Sequence, residues 1–285
     1  MAVKLRPGRT EDAESCGRVC YEAFKSIAEA HGFPPDFPTA EIAAGFLTRM
    51  LADPGFRSVV AEDKGRIVGS NFLDVRNAIA GVGPITVDPK AQNKSVGRAL
   101  MEGVHGYADE DGFVGVRLVQ AAFHSRSLSL YTKLGYDVRE PLACVQGPAL
   151  GATVGGRRVR AAASADLGAC NALCLTVHGH DRGGELADAI ARGSARVVER
   201  DGAIVGYATA IAFFGHAVGV ENDDLAALIG AADAFGGPGF LLPTRNTELL
   251  RWCLGKGLRV VQPLTLMSRG LYNEPNGAFL PSVLY

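Results

Sequence analysis

The residues best suited to do chemistry lie in one stretch, Ile85-Thr86-Val87-Asp88-Pro89-Lys90-Ala91-Gln92-Asn93-Lys94-Ser95-Val96-Gly97-Arg98-Ala99-Leu100. β-branched residues run to Val87, and Pro89, which has no N–H for a sheet ladder, blocks further extension. A polar loop follows, and an apolar helical pattern starts near Ser95 or Val96. The first turn of a helix leaves backbone N–H groups free and carries partial positive charge, so a loop that drops into it is an anion site. Gly97 leaves the backbone open to close approach, and Lys90, Lys94 and Arg98 add positive charge nearby. This pattern suits a phosphate or pyrophosphate.

Other combinations of reactive residues carry less. Cys16/Cys20 and Cys170/Cys174 have i, i+4 spacing, but neither pair has His or Cys partners nearby in sequence, so they read as core thiols and no metal is expected. The same holds for Val177-His178-Gly179-His180-Asp181, which has no partner motif. Gly236-Gly237-Pro238-Gly239 reads as a turn before a strand, because no helix starts directly after it.

The elements that must position the loop can be read from periodicity. Residues 40–52, 95–107 and 127–134 have helical apolar spacing, the last stopped by Gly135, while 85–87 and 114–121 read as strands, the second central because it has few charges. The order in the first half is strand, helix, helix, hairpin, strand, helix, strand, helix, strand, giving an α/β (α+β) composite of a mixed sheet with helices on its faces. The chain also repeats itself. Leu5 to Asp12 leads into Cys16 and Cys20 as Val159 to Asp166 leads into Cys170 and Cys174. Two hairpin patterns, around Lys64-Gly65 and Asp201-Gly202, follow in the same order, and Leu134-Gly135-Tyr136 is echoed by Lys256-Gly257-Leu258. The predicted organisation is a first domain over residues 1–147, a Gly-rich linker over 148–157 and a second domain over 158–285.

With the loop, a second block identifies the family that the first half resembles: His124-Ser125-Arg126-Ser127-Leu128-Ser129-Leu130-Tyr131-Thr132-Lys133-Leu134-Gly135-Tyr136. Residues 3–147 resemble the GNAT superfamily of N-acetyltransferases. The loop keeps that family's Gln (Gln92) and second Gly (Gly97) and departs at Ser95, where Gly is usual. The second block keeps Leu-Tyr-x-Lys-x-Gly-Tyr and has His124 at an Asn-like position. The resemblance implies two tandem GNAT-like domains, each a mixed, mostly antiparallel sheet flanked by helices. It implies acetyl-CoA as co-substrate, held by Ile85, Thr86 and Val87 of the strand, by Gln92, Asn93, Lys94, Ser95, Val96, Gly97, Arg98 and Ala99 of the loop and helix, and by Tyr131. It also implies a bulge near Gly81 and Gly83 that splays the strand from its neighbour, and a Val87 N–H that polarises the thioester.

The reaction so implied is direct attack of an amine on acetyl-CoA. Tyr131 matches the acid position, and a phenol is protonated at neutral pH. His124, or alternatively Asp74 at the end of a hairpin strand, is the candidate base. In Phe33-Pro34-Pro35-Asp36-Phe37-Pro38, a region that lines the acceptor pocket in this family, Phe33 and Phe37 would stack on the acceptor and Asp36 attract its ammonium. The second half lacks the basic loop, has Glu221, Asp223 and Asp224 at the matching helix start, and has Asn246 and Cys253 in place of His124 and Tyr131. It is expected to be a degenerate copy without acetyl-CoA, closing one side of the acceptor pocket. Its tail, residues 269–285, is expected to wrap over a domain surface.

Composition sets the outer bounds. The chain has 285 residues, 29 Lys plus Arg against 30 Asp plus Glu, a net charge of −1, and 47% hydrophobic residues. That balance argues against nucleic-acid and membrane partners and against disorder. Six cysteines are too few for a disulfide scaffold, and with no secretory signal pattern the expectation is a cytoplasmic protein. The expected partner is a small-molecule or peptide amine. The alternative from another class is an acyl-CoA-binding sensor without turnover.

Overall fold

The computed structural model describes residues 3–92 and 95–284. The first half runs β1 (Lys4–Pro7), α1 (Ala13–Ala30), α2 (Ala40–Ala52), β2 (Phe56–Asp63), β3 (Arg66–Asp74), β4 (Ala80–Val82), β5 (Thr86–Val87), α3 (Val96–Glu110), β6 (Gly115–Ala121), α4 (Ser125–Lys133) and β7 (Asp137–Gln146). The second half runs β8 (Arg158–Ala161), α5 (Leu167–His178), α6 (Gly183–Ala191), β9 (Arg196–Arg200), β10 (Ala203–Ala208), β11 (Ala217–Gly219), α7 (Asn222–Gly230), β12 (Phe240–Pro243), α8 (Thr247–Gly255), β13 (Arg259–Gly270) and β14 (Ala278–Leu280).

The internal repeat has a physical counterpart in partly buried ion pairs. Arg6 bridges Asp12 at 2.7 Å and Glu62 at 2.8 Å, and Arg160 bridges Asp166 at 2.6 Å and Glu199 at 2.7 Å. Each arginine ties the first strand to the helix entry and to the second strand. The hairpin turns also match: Lys64-Gly65 and Asp201-Gly202 both put two successive residues at positive φ, as a type I′ turn requires.

The two halves do not keep their strands to themselves. A nine-stranded sheet has the order β1-β2-β3-β4-β6-β13-β7-β12, with β5 paired to β3, and a five-stranded sheet has the order β14-β11-β10-β9-β8. β13 lies antiparallel between β6 and β7, and β7 in turn lies between β13 and β12. Each half therefore opens a gap beside its own penultimate strand and the other half fills it. The larger sheet is thus built across the division at residues 148–157. Both sheets are mixed or antiparallel with helices on their faces, and β6 is central, as its low charge predicts.

The tail departs from expectation. Residues 271–277 run as irregular, half-buried or exposed chain, but the residues after them do not lie on a surface. β14 pairs antiparallel with β11, and residues 278–282 are buried. Apolar side chains explain this: Phe279 packs with α5, and Leu280 joins the buried cluster of Leu225, Leu228 and Phe240, which removes them from water. No helix among the described residues is long and apolar enough to cross a membrane.

Candidate active site

The site begins where two neighbouring strands part. β4 pairs parallel with β6 at Ala80↔Val116 and Gly81↔Arg117, and there the pairing ends. After Gly83 and Pro84 the chain returns as β5, which pairs only with β3. β6 meanwhile continues beside β13. A wedge opens between β5 and β6, as the glycines at 81 and 83 predict. The Asp88 N–H donates to Val68 O on β3 at 2.9 Å, so by strand alternation the Val87 N–H points away from β3, into the wedge.

α3 meets the mouth of this wedge. Its N-cap, Ser95, makes no side-chain capping bond, so the N–H groups of the first turn stay free. Ser95 has φ 61°, the left-handed turn that glycine adopts most easily. Ser95 therefore holds a backbone conformation that a glycine there would also adopt. Gln92, Ser95, Val96, Gly97 and Arg98 line one cavity of about 550 Å³ with Ile85, Thr86 and Val87. Arg126 of α4 bonds to the Gln92 side chain and lines the same cavity. Ala99 is not among the lining residues. Asn93 and Lys94 lie outside the described residues.

α4 supplies the reactive side chains. Tyr131 is buried and faces the cavity, and burial pushes its phenol up to about 12 although hydrogen bonding with Ser127 pulls the other way. Ser127 also shares a 2.5 Å hydrogen bond with His124 Nδ1. His124 Nε2 is buried with no hydrogen-bond partner, and burial, then Arg126 and His31, pull the imidazole down to about 4. The result is a Tyr131–Ser127–His124 array along two turns of α4, with His124 at its N-cap. Ser127 is a site residue that sequence reading missed, although its i+3 spacing from His124 and i−4 spacing from Tyr131 could have found it. Gln120 of β6 also lines the cavity, with both carboxamide atoms buried and unpartnered.

The other predicted positions divide. Asp36 and Phe37 line the cavity. Phe33 does not, and instead stacks on Phe123 with centroids 4.4 Å apart, so Phe123 is the ring that reaches the wall. Asp74 is also outside. Its carboxylate is held by Arg76, with Nε–Oδ1 at 2.9 Å, and Arg76 reaches Asp188 of α6 at 2.9 Å. That makes Asp74 part of the contact between the halves, out of reach of a reacting amine. Phe213, Phe214, Gln262, Leu264, Val283 and Leu284 complete the wall, all from the second half, and no sequence signal points to them.

The matching place in the second half is closed. Glu221 and Asp224 form a reciprocal capping box at the start of α7, and Asp224 accepts from the Glu221 N–H at 3.0 Å. Arg157 bridges Asp224 at 3.1 Å. β14 lies along β11, where the first half leaves its wedge open, and packs against β12. Asn246 caps α8 by accepting from the Leu249 N–H at 3.3 Å, and Leu249 and Cys253 stand where Ser127 and Tyr131 do in the first half. Among the described residues, no group of three or more His, Cys, Asp or Glu is arranged to hold a metal ion.

Comparison with known proteins agrees with this geometry. Residues 54–138 match the family described as Acetyltransferase (GNAT) domain. The chain is 29% identical over 93 residues to an IAA acetyltransferase of Azospirillum brasilense, a match covering 32% of this chain and 61% of that relative's length. A Pyrococcus horikoshii protein assigned as an acetyltransferase superposes over 100% of this chain and 95% of its own, with TM-score 0.77 at 16% identity. A GCN5-related N-acetyltransferase of Sphaerobacter thermophilus covers 95% of this chain and 96% of its own, with TM-score 0.64 at 14% identity. At such identities these two likenesses concern the fold. The family match spans residues 54–138, the stretch that holds the wedge, α3 and α4.

Proposed function

We propose that the GNAT domain of this chain transfers an acetyl group from acetyl-CoA to an amine of a small molecule, amino-acid derivative or protein. In this reading residues 1–147 supply the donor site, 148–157 link, and 158–285 form a copy without cofactor. The observation that carries it is one continuous cavity, running from the uncapped start of α3, between β5 and β6, to the Tyr131 phenol. The residues fit the co-substrate: free N–H groups and Arg98 suit a pyrophosphate, and the unpartnered Gln120 carboxamide suits an amide of the pantetheine arm.

Acetyl-CoA, when bound, supplies a thioester. The chain's own groups do the rest. Val96, Gly97 and Arg98 hold phosphate through backbone N–H groups. The Val87 N–H, directed into the wedge, polarises the carbonyl oxygen. Tyr131 stays protonated across neutral pH and donates to the departing sulfur, and Ser127 and His124 orient its hydroxyl. His124, pulled down to about 4, is neutral and a weak base, which suits orientation better than removal of a proton from an ammonium.

Thiol release from acetyl-CoA over a panel of amines tests the reading. Amine-dependent release is expected, and Tyr131→Phe should lower turnover ~10²-fold or more with little change in acetyl-CoA affinity. Acetyl-CoA that binds without any amine-dependent release would favour a sensor, and wild-type turnover in Tyr131→Phe would reduce Tyr131 to packing.

A further inference from the structure

The two ends of the cavity differ in chemistry. At the α3 end lie Arg98 and the Arg126–Gln92 pair. The opposite end is aromatic. Phe37 packs toward Phe24 at 6.2 Å and toward Phe46 at 5.8 Å, and Phe46 meets Phe214 at 4.5 Å, so rings from both halves form one wall. Leu264 and Val283 of the second half extend it. Into this apolar end projects one carboxylate, Asp36, which accepts from Gln262 Nε2 at 3.3 Å. The titratable groups near it are the thiols of Cys20 on α1 and Cys144 on β7, which burial keeps protonated. Among the described residues lining the cavity, the only Lys or Arg side chains are Arg98 and Arg126, both at the far end.

We propose that the aromatic end receives the acetyl acceptor, that the acceptor is a hydrophobic monoamine without a carboxylate, and that Asp36 binds its ammonium group and takes its proton. This rests on the acetyl-transfer reading above. A single negative charge in an apolar chamber matches a single positive one. A carboxylate on the acceptor would be desolvated with no cation to meet it, and a second ammonium would be buried unpaired. Asp36 also has the right basicity. Burial raises it to about 6, against the hydrogen bond from Gln262, so it is deprotonated at neutral pH and a stronger base there than His124. Strand alternation separates the two ends of the proton path. Leu264 and Val119 pack with Phe213 and Phe214 on one face of the sheet, while Leu118 packs with Tyr131 on the other.

The protons balance. An ammonium and a thioester become an N-acetyl amide, a thiol and one free proton. Nitrogen loses two protons. Asp36 takes the first, freeing the lone pair that forms the C–N bond, and later releases it to solvent. As the C–S bond breaks, Tyr131 protonates the sulfur, and the second nitrogen proton restores the phenol. Gln262 is a positioning residue: it holds the Asp36 carboxylate from β13, a strand of the second half placed in the first half's sheet.

The test uses the whole chain, acetyl-CoA and three amines: 2-phenylethylamine, its carboxylated counterpart phenylalanine, and the dication 1,6-diaminohexane. Phenylethylamine is expected to exceed both others by ~10²-fold in kcat/KM, since each rival buries an unpaired charge. Asp36→Asn should lower its kcat/KM ~10²-fold or more while acetyl-CoA affinity stays unchanged by titration. Gln262→Leu removes a donor that favours the charged carboxylate, so the acidic limb of the kcat/KM profile should move to higher pH, a shift that a merely structural residue would not cause. Equal rates with phenylalanine or the diamine, wild-type rates in Asp36→Asn, or an unmoved limb in Gln262→Leu would overturn the acceptor assignment and leave acetyl transfer standing. Acetyl-CoA that binds but releases no thiol with any amine would overturn the transfer reading and this proposal with it.

Discussion

Ser95 carries the least expected residue-level feature. At φ 61° a side chain crowds its own backbone, a strain of ~1 kcal/mol or more that glycine does not suffer. Ser95→Gly should therefore keep the loop and raise stability by up to ~1 kcal/mol, read as a small rise in Tm, with acetyl-CoA affinity equal or better. A fall in Tm would mean that the serine side chain earns its place through contacts. That β5 ends at Val87 and α3 starts at Val96 is legible in the sequence, because Pro89 and the apolar spacing after Ser95 each have a local cause. The left-handed turn at Ser95 is not, because residue type alone ranks serine as an N-cap and says nothing of its φ. The base is harder to read: Asp74, the alternative to His124, has a suitable place at a strand end, and only the fold reveals that Arg76 holds it.

At the level of elements, helices and hairpins were readable because their signals are local: apolar spacing for α2 and α3, and Asp201-Gly202 for the turn between β9 and β10. Strand partners were not. β13 has an ordinary strand pattern, and nothing in it says that its neighbours are β6 and β7, more than a hundred residues away. The tail is the clearest case, since its Pro and Gly residues read as surface chain while its backbone enters both halves. A Cβ on Gly81 would lie 1.9 Å from the Leu284 carbonyl oxygen. Gly81→Ala must therefore push the tail away from the wedge, at an expected loss of ~1–3 kcal/mol. The measurement is Tm together with initial rates: lower Tm and a raised KM for the amine, with acetyl-CoA affinity retained, is the predicted pattern. Unchanged Tm and KM would mean that the tail does not shape the acceptor end.

The whole molecule is a pair of repeats that share strands, and the proposed reading gives only the first a donor site. Residues 1–147 alone would lack the strand between β6 and β7, exposing two unpaired edges. That fragment should aggregate or stay unfolded by circular dichroism, and co-expression with residues 148–285 should restore solubility. A soluble, active fragment would show that the exchange is dispensable. The central claim is that only the first repeat has a working cofactor site, its helix start bare where that of the second is capped by Glu221 and Asp224. Calorimetric titration of the intact chain with acetyl-CoA tests this most directly, in wild type and in Gly97→Glu. At Gly97 a Cβ makes only ordinary contacts, the nearest at 3.5 Å, so the variant should fold while its carboxylate repels the pyrophosphate. The account predicts one site per chain in the wild type and none in the variant. Two sites per chain, or a single site that survives in a folded Gly97→Glu protein, would contradict it.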